Sequence, residues 1–489
     1  MKKILRHIPG IFLGIILIAV TIAFLILLNI LDVVPEKYFI FIVAGLTLIT
    51  FFISIFLFIN PKRPKKEKGK KRPKEKVGMK IYRIVRYFCF FFAILLIVGY
   101  SFMVYYLNKT MNFIDNIGII TEEVTNYYII VLKDTRYQET SDLDGNSIGY
   151  FDRTEQEVID SIKLTLNHTT VNDINKLKDM LYNQEVTSIL ISDIIKNRYE
   201  EENISFNDEI RILDTISIKS EIKDITKKVS IKNAPFNVLI SGIDTYGAIN
   251  TKSRNDVNMV ATINPNTNKI LLTSIPRDYY VKLHGKKGLK DKLTHASYYG
   301  QETVVKTIED ILDIDINYYI KVNFSTVIEL VDTLGGVEVY ADQPVYLYGC
   351  KRIKKGYNKL NGECALAFSR ERYSYSDGDL HRGRNQQEVI KAIFKKVTSG
   401  TTILTEYNNV LKVMDGKFVT NLDMDEVLNF VKYEIDDLGT YTFTNTQLNG
   451  SGAMGETYSY PGQSLWIMIP NEKTIKKVKS LIAETINEN

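Results

Sequence analysis

Two aspartates and a group of arginines lie at the ends of short apolar runs in the second half of this 489-residue chain. Asp244 follows Asn237-Val-Leu-Ile-Ser-Gly-Ile, and Asp256 follows Arg254 in Ser253-Arg-Asn-Asp. A carboxylate just past a strand's C-terminal end sits where α/β sheets bind ligands. Two of them offer the hard oxygen ligands that magnesium or manganese takes together with water and phosphate oxygens. Taken singly, each has a plainer reading, as a loop-capping Asp and as an Asp paired with Arg. Arg277-Asp278 follows Leu271-Leu-Thr-Ser-Ile-Pro, where the proline keeps the chain extended and brings Arg277 just past the strand. Ser369-Arg-Glu-Arg-Tyr spaces Arg370 and Arg372 two apart, which puts both on one face if the segment is extended. Asp379-Leu-His-Arg-Gly-Arg-Asn-Gln-Gln supplies Arg382, Arg384, Gln386 and Gln387 at the start of a helix, where anions are favoured. Arginines beside paired carboxylates suit a metal-bound pyrophosphate whose charge spreads over several oxygens. Residue types alone leave the competing reading, ordinary surface ion pairs, equally open.

Other candidates are weaker. Lys292 and His295 are near enough in sequence to reach the same place, although His295 also reads as a helix cap. His168, His284 and His381 lack metal-ligand spacing. The absence of a Gly-x-Ser-x-Gly elbow, a Walker loop and a His-Glu-x-x-His motif disfavours an α/β-hydrolase, a nucleotide-driven enzyme and a zinc protease.

The elements that must position these groups read as strands at Phe236–Ile240, Val257–Ile263, Lys269–Ile275 and Tyr318–Val322, and as helices at His295–Leu312, Ser325–Leu334 and Asn385–Val397. Such alternation predicts an α/β/α sandwich over a mixed, mostly parallel sheet. The tail from Leu404 is expected to add helix, ending in Lys473–Ile486. Upstream, residues 108–230 have few glycines and predict a small α+β accessory domain without clustered catalytic residue types. There, Thr154–Leu166 and Val171–Tyr199 carry helical spacing, and Val124–Leu132 and Ile216–Ile222 predict strands.

The first 107 residues predict three transmembrane helices, at Ile8–Leu31, Tyr38–Ile59 and Ile84–Leu107. Each is long enough to cross a hydrocarbon core of ~30 Å. Between the second and third, residues 61–83 hold twelve Lys and Arg against two Glu, the composition of a cytoplasmic loop. Lys2, Lys3 and Arg6 put the N-terminus on the same side, so everything after about Asn108 is expected outside the cell. The net charge of +5 is therefore an orientation signal rather than a nucleic-acid footprint, since the part beyond residue 107 carries about −8. Cys89 lies in the third apolar run. Cys350 and Cys364 lie outside and leave a disulfide open, but two cysteines make no framework.

Several blocks, in order, carry a family resemblance: Asn237-Val-Leu-Ile-Ser-Gly-Ile-Asp, Ser253-Arg-Asn-Asp, Ser274-Ile-Pro-Arg-Asp, Lys292-Leu-Thr-His-Ala, Val331-Asp-Thr-Leu-Gly-Gly-Val, Ser369-Arg-Glu-Arg, and Gly378-Asp through Asn385-Gln. On them, about Pro235–Ser399, and more weakly the chain from there to the C-terminus, resemble the LytR-CpsA-Psr cell-wall enzymes, whose catalytic domain is expected to span residues 231–489. Three spans plus an accessory domain look like the capsule-type branch of Gram-positive bacteria. The resemblance implies a plasma-membrane phosphotransferase. It would move a glycopolymer, a capsular polysaccharide or teichoic-acid-like chain, from a polyprenyl pyrophosphate to a peptidoglycan acceptor and form a phosphodiester. It further implies magnesium or manganese on Asp244 and Asp256, and pyrophosphate contacts from Arg254, Arg277, Arg370, Arg372, Arg382 and Gln386. An apolar tunnel for the lipid is implied beside them, as are contacts with capsule or wall assembly proteins. Arg384, which many relatives lack, leaves open whether Arg382 alone or both face the phosphates. Asp278 is the candidate base, with another carboxylate or the departing phosphate as alternatives. A polyprenyl-pyrophosphate hydrolase and a non-enzymatic membrane regulator of wall synthesis are the rival readings.

Overall fold

The computed structural model describes residues 8–32, 34–59, 77–116, 120–246, 248–350, 352–399, 406–437 and 441–488. They fall into two compact units, one from Met1–Ile117 with Asp423–Leu438, the other from Gly118–Leu422 with Gly439–Asn489.

The first unit contains three helices long and apolar enough to cross a membrane, Ile8–Leu31, Glu36–Phe58 and Val77–Asn116. The third runs beyond the expected Ile84–Leu107 at both ends. Leu17, Phe24, Leu57, Ala93 and Tyr100 bury against one another between the helices. Thr21 Oγ1 bonds the Leu17 carbonyl at 2.8 Å and meets Thr50 Oγ1 at 3.2 Å, whereas the buried Ser54 Oγ and Tyr100 hydroxyl have no hydrogen-bond partner among the described residues. Most of the basic stretch, residues 60–76, lies outside the described residues.

The second unit is built on two sheets. The accessory sheet has five strands in the order Asn167–Val171, Ser147–Phe151, Ser188–Ser192, Glu122–Leu132, Ile210–Glu221. The expected continuous helical stretch over 171–199 is instead helix Ile174–Tyr182, strand Ser188–Ser192 and helix Asp193–Glu202. The Ile189-Leu190-Ile191 run inside that strand, buried on both faces, suits a strand as well as it suits a helix.

The larger sheet has six strands in the order Val419–Thr420, Tyr318–Val322, Phe236–Ile243, Asn255–Asn264, Lys269–Ser274, Thr442–Gln447. It is mixed, as expected, but mostly antiparallel rather than mostly parallel, because no helix separates Phe236–Ile243, Asn255–Asn264 and Lys269–Ser274 and each strand returns directly beside the last. Its parallel pairs are Phe236–Ile243 with Tyr318–Val322 and Lys269–Ser274 with Thr442–Gln447, and its other three pairings are antiparallel. One core of Leu239, Val260, Leu271, Val304, Ile308 and Val478 packs the helices Gln301–Leu312 and Glu472–Asn487 on one face. The helices Phe324–Thr333, Gly362–Arg370 and Asp379–Val397 also belong to this domain. The expected helix 295–312 is broken at Gly300, where φ is +96°, into a 3₁₀ segment and an α-helix. The tail holds four strands that its helical reading missed, Val419–Thr420, Thr442–Gln447 and the hairpin Gly450–Glu456 with Ser464–Pro470.

The two sheets are tied together by buried charge. Lys321 Nζ, on a central strand, meets Glu123 Oε1 of the accessory sheet at 3.3 Å, with side chains only 1% and 5% exposed. A parallel bridge joins Val124 to Thr251 nearby. Cys350 and Cys364 form a disulfide that fastens a loop to the first turn of helix Gly362–Arg370.

Candidate active site

Asp256 owes its direction to a break in register. Gly242 pairs with Val257 and Ile243 with Asn255, so Asp256 is the extra residue of a β-bulge. A bulge re-aims one side chain out of the ladder alternation. Gly242 permits the close approach, since a Cβ there would lie 2.8 Å from Val257 Cγ2. Asp244 leaves the neighbouring strand beside it, its N–H bonded to the Arg254 carbonyl at 3.3 Å.

Both carboxylates line a cleft of about 390 Å3 together with Arg277, Arg370, Arg372, Arg382 and Gln386. Arg277 Nη1 donates to Asp256 Oδ2 at 2.7 Å, and Arg382 Nη1 stands 4.0 Å from the same oxygen. Arg370 Nη2 is 3.7 Å from Asp244 Oδ1. Burial by itself would raise the Asp256 pKa, but the guanidiniums of Arg277 and Arg382 outweigh it and hold the carboxyl below its ordinary value. Burial would likewise depress Arg277, and Asp256 with Asp278 more than reverse this. For Arg382 burial prevails over Asp379 and lowers the pKa. The cleft continues into an apolar arm lined by Ile240, Val327, Leu366, Val389 and Ile393. Charged and apolar walls thus meet in one cavity of the size that takes part of an amphiphile.

Arg370 and Arg372 reach the cleft by a different route from the one the spacing predicts. Arg370 is the last residue of helix Gly362–Arg370, and only from Glu371 is the backbone extended. Arg370 stacks over the Phe324 ring at 4.3 Å and Arg372 over Tyr373 at 4.8 Å, which sets both planar forks. Arg382 and Gln386 stand one turn apart on helix Asp379–Val397, which begins six residues earlier than expected. Gln387 anchors that helix to the sheet by donating to the carbonyls of Leu272 at 3.0 Å and Thr446 at 2.7 Å. Arg384 points elsewhere and binds Asp377 Oδ2 at 2.5 Å, so Arg382 alone of the two lines the cleft.

Other candidates stand outside that lining. Arg254 borders a second cavity, where it pairs with Glu201 and stands 3.8 Å from Asp244 Oδ2. Burial would lower its pKa, but the groups around it, Tyr298 and Glu201 foremost, raise it. Asp278 lies between Lys292 Nζ at 2.9 Å and Arg277 Nε at 3.5 Å, neutralised on both sides and outside both cavities. His295 Nδ1 is 2.6 Å from the buried Asp291, and His295 borders the second cavity rather than capping a helix. Phe324 and Tyr373 are the site residues that sequence reasoning missed, because an aromatic beside an arginine signals nothing until the ring and the guanidinium are seen stacked.

Two acidic residues do not enclose an ion, and no group of three or more metal-ligating side chains occurs among the described residues. The donor set nevertheless fits a hard cation that draws its other ligands from water and phosphate. Asp256 Oδ1 is buried without a hydrogen-bond partner among the described residues, and Asp244 lines the same cleft.

The sequence model described as the LytR_cpsA_psr family matches residues 209–479. The polyisoprenyl-teichoic acid–peptidoglycan teichoic acid transferase TagU of Bacillus subtilis (strain 168) is 38% identical over 211 residues, 43% of this chain and 67% of that protein. Its namesake in Bacillus cereus (strain ATCC 14579) is 37% identical over 209 residues, 42% of this chain and 67% of the relative. Among solved structures, B. subtilis TagV aligns with a TM-score of 0.45 at 26% identity, covering 53% of this chain and all of TagV.

Proposed function

This chain belongs to the LytR-CpsA-Psr family, and on that premise we propose that it transfers a glycopolymer from a polyprenyl pyrophosphate carrier to peptidoglycan outside the cell. The observation that carries the reading is a single cleft whose one end holds four arginines and two aspartates and whose other end is apolar. The relatives' names supply the donor and acceptor classes, a polyisoprenyl-linked teichoic acid and peptidoglycan. Three apolar helices and an accessory sheet favour the capsule-type branch, with a capsular or teichoic-acid-like polymer as cargo.

In this mechanism the prenyl chain lies in the apolar arm and the pyrophosphate lies among Arg277, Arg370, Arg372 and Arg382. Gln386 donates a further hydrogen bond. An acceptor hydroxyl attacks the phosphorus that carries the polymer, and the bond from that phosphorus to the bridging oxygen breaks. The products are a polymer–peptidoglycan phosphodiester and polyprenyl phosphate. Fixed guanidiniums stabilise charge developing on the leaving phosphate without reorganising. Asp278, neutralised by Lys292 and Arg277, positions Arg277 instead of taking the proton; we assign the acceptor proton to the departing phosphate. Asp244 and Asp256 would hold magnesium or manganese, which would supply further neutralisation of the pyrophosphate.

Mass spectrometry of lipid extracted from protein purified out of its own membranes tests the donor assignment. A stoichiometric prenyl pyrophosphate is expected in the wild type and a depleted amount in Arg277→Ala. Only bulk phospholipid in both would refute the donor class.

A further inference from the structure

The second cavity has a ligand chemistry of its own. It holds about 570 Å3 and lies between the accessory helix Asp193–Glu202, through Asn197, Glu200 and Glu201, and the catalytic domain, through Thr245, Lys252 and Arg254. Asp244 lines both cavities, so a molecule in the second lies against a carboxylate of the arginine cleft. Part of the wall is aromatic. His295 stacks on Tyr298 with centroids 5.1 Å apart, and Tyr460 meets the imidazole edge-on at 5.0 Å.

The charge pattern differs from that of the arginine cleft. Arg198, Lys252, Arg254 and Lys292 alternate with Glu200, Glu201 and Asp244, so neither sign prevails. Asn197 is exposed on the helix, and the buried Thr245 Oγ1 has no hydrogen-bond partner among the described residues. Mixed donors and acceptors beside the exposed ring of Tyr246, which also lines the cavity, suit a neutral, polyhydroxylated chain, which offers hydroxyls to the first and C–H faces to the second. They suit an anion or an acyl chain poorly. The accessory helix is held firmly in place. Gln463 bonds Asn175 Oδ1 at 2.8 Å and Glu202 Oε1 at 3.0 Å, and Arg198 Nε bonds Gln463 Oε1 at 3.0 Å.

We propose that this cavity seats the acceptor, a glycan strand gripped between the accessory helix and the catalytic domain with one hydroxyl turned toward the Asp244 side of the cleft. The proposal rests on the phosphotransferase reading above. In-line displacement needs the nucleophile opposite the leaving group. With the lipid in the apolar arm, the acceptor enters from the side where Asp244 joins the two cavities. The accessory domain is then part of the acceptor site rather than a spacer.

The test measures binding of a fluorescent β-1,4-linked N-acetylglucosamine hexamer to the full chain in detergent, alongside cleavage of a prenyl pyrophosphate donor. Saturable binding is expected in the wild type. Asn197→Leu combined with Thr245→Val should weaken it about tenfold or more through lost hydrogen bonds while the Tm stays near wild type. Absence of binding by the wild type, or equal binding by the variant, overturns the proposal. Donor cleavage by the wild type reads the enzyme assignment separately. Cleavage without glycan binding discards the acceptor cavity and leaves the enzyme standing. Glycan binding without cleavage supports the cavity as a glycan site and discards the enzyme.

Discussion

At the scale of single residues, the arginines are worth more as shaped forks than as charges. Arg370 and Arg372 are each set by an aromatic ring beneath the guanidinium. A lysine keeps the charge but loses both the planar fork and the stacking. Arg370→Lys and Arg372→Lys should therefore each cut lipid monophosphate release by about 10²–10³, the loss that follows removal of one transition-state contact. Surface ion pairs would predict almost no change. Asp256 makes a second residue-scale prediction. Its folded pKa lies below the ordinary value because Arg277 and Arg382 outweigh burial. That pairing therefore stabilises the fold above the unfolded carboxyl pKa of about 3.9, and the stabilisation is lost as pH falls through the folded value. Asp256→Asn should cost about 1–3 kcal/mol at pH 7, read as a lower Tm, with the gap to wild type closing below about pH 4. A gap that persists unchanged into acid would contradict the ion-pair account.

At the scale of elements, much was legible and the exceptions have physical causes. The strands around Phe236–Ile240, Val257–Ile263 and Lys269–Ile275 announce themselves as apolar runs, and the ends of these runs mark where Asp244, Asp256 and Arg277 converge. The bulge at Asp256 was not legible, since a one-residue slip in register leaves no mark in hydrophobic pattern. Nor was strand Thr442–Gln447, a polar edge strand without alternating apolar residues. The three arginine-bearing segments are placed by packing that sequence cannot display. Gly362 begins the helix that delivers Arg370, and a Cβ there would stand 2.3 Å from the Ile328 carbonyl oxygen. Because that obstacle is backbone, Gly362→Ala should cost about 1–3 kcal/mol and also reduce donor cleavage, measured by melting and by turnover. The Lys321–Glu123 pair that ties the sheets offers a cleaner contrast. Lys321→Met alone leaves a buried carboxylate and should cost about 3–5 kcal/mol, whereas adding Glu123→Gln should recover most of it. Equal losses in the single and double variants would mean the pair is not the tie.

At the scale of the whole molecule, the proposed amphiphilic donor would account for a polar site on a chain with three helices long and apolar enough to cross a membrane. Charge around those helices sets the expected orientation. A reporter fused after Lys76 should be active only in the cytoplasm, and one fused after Thr110 only outside. Protease cleavage of the basic loop in intact protoplasts would reverse the topology and remove the site from its acceptor. The central claim is transfer, and the most direct measurement follows both products of one reaction. Full-length protein is supplied with a prenyl pyrophosphate-linked oligosaccharide and peptidoglycan, and lipid phosphate and polymer-bearing muropeptides are quantified by mass spectrometry. The account predicts equal amounts of polyprenyl monophosphate and phosphodiester-linked product, both abolished by Asp256→Ala. Monophosphate released at the same rate with no polymer on the peptidoglycan would contradict it and identify a hydrolase instead.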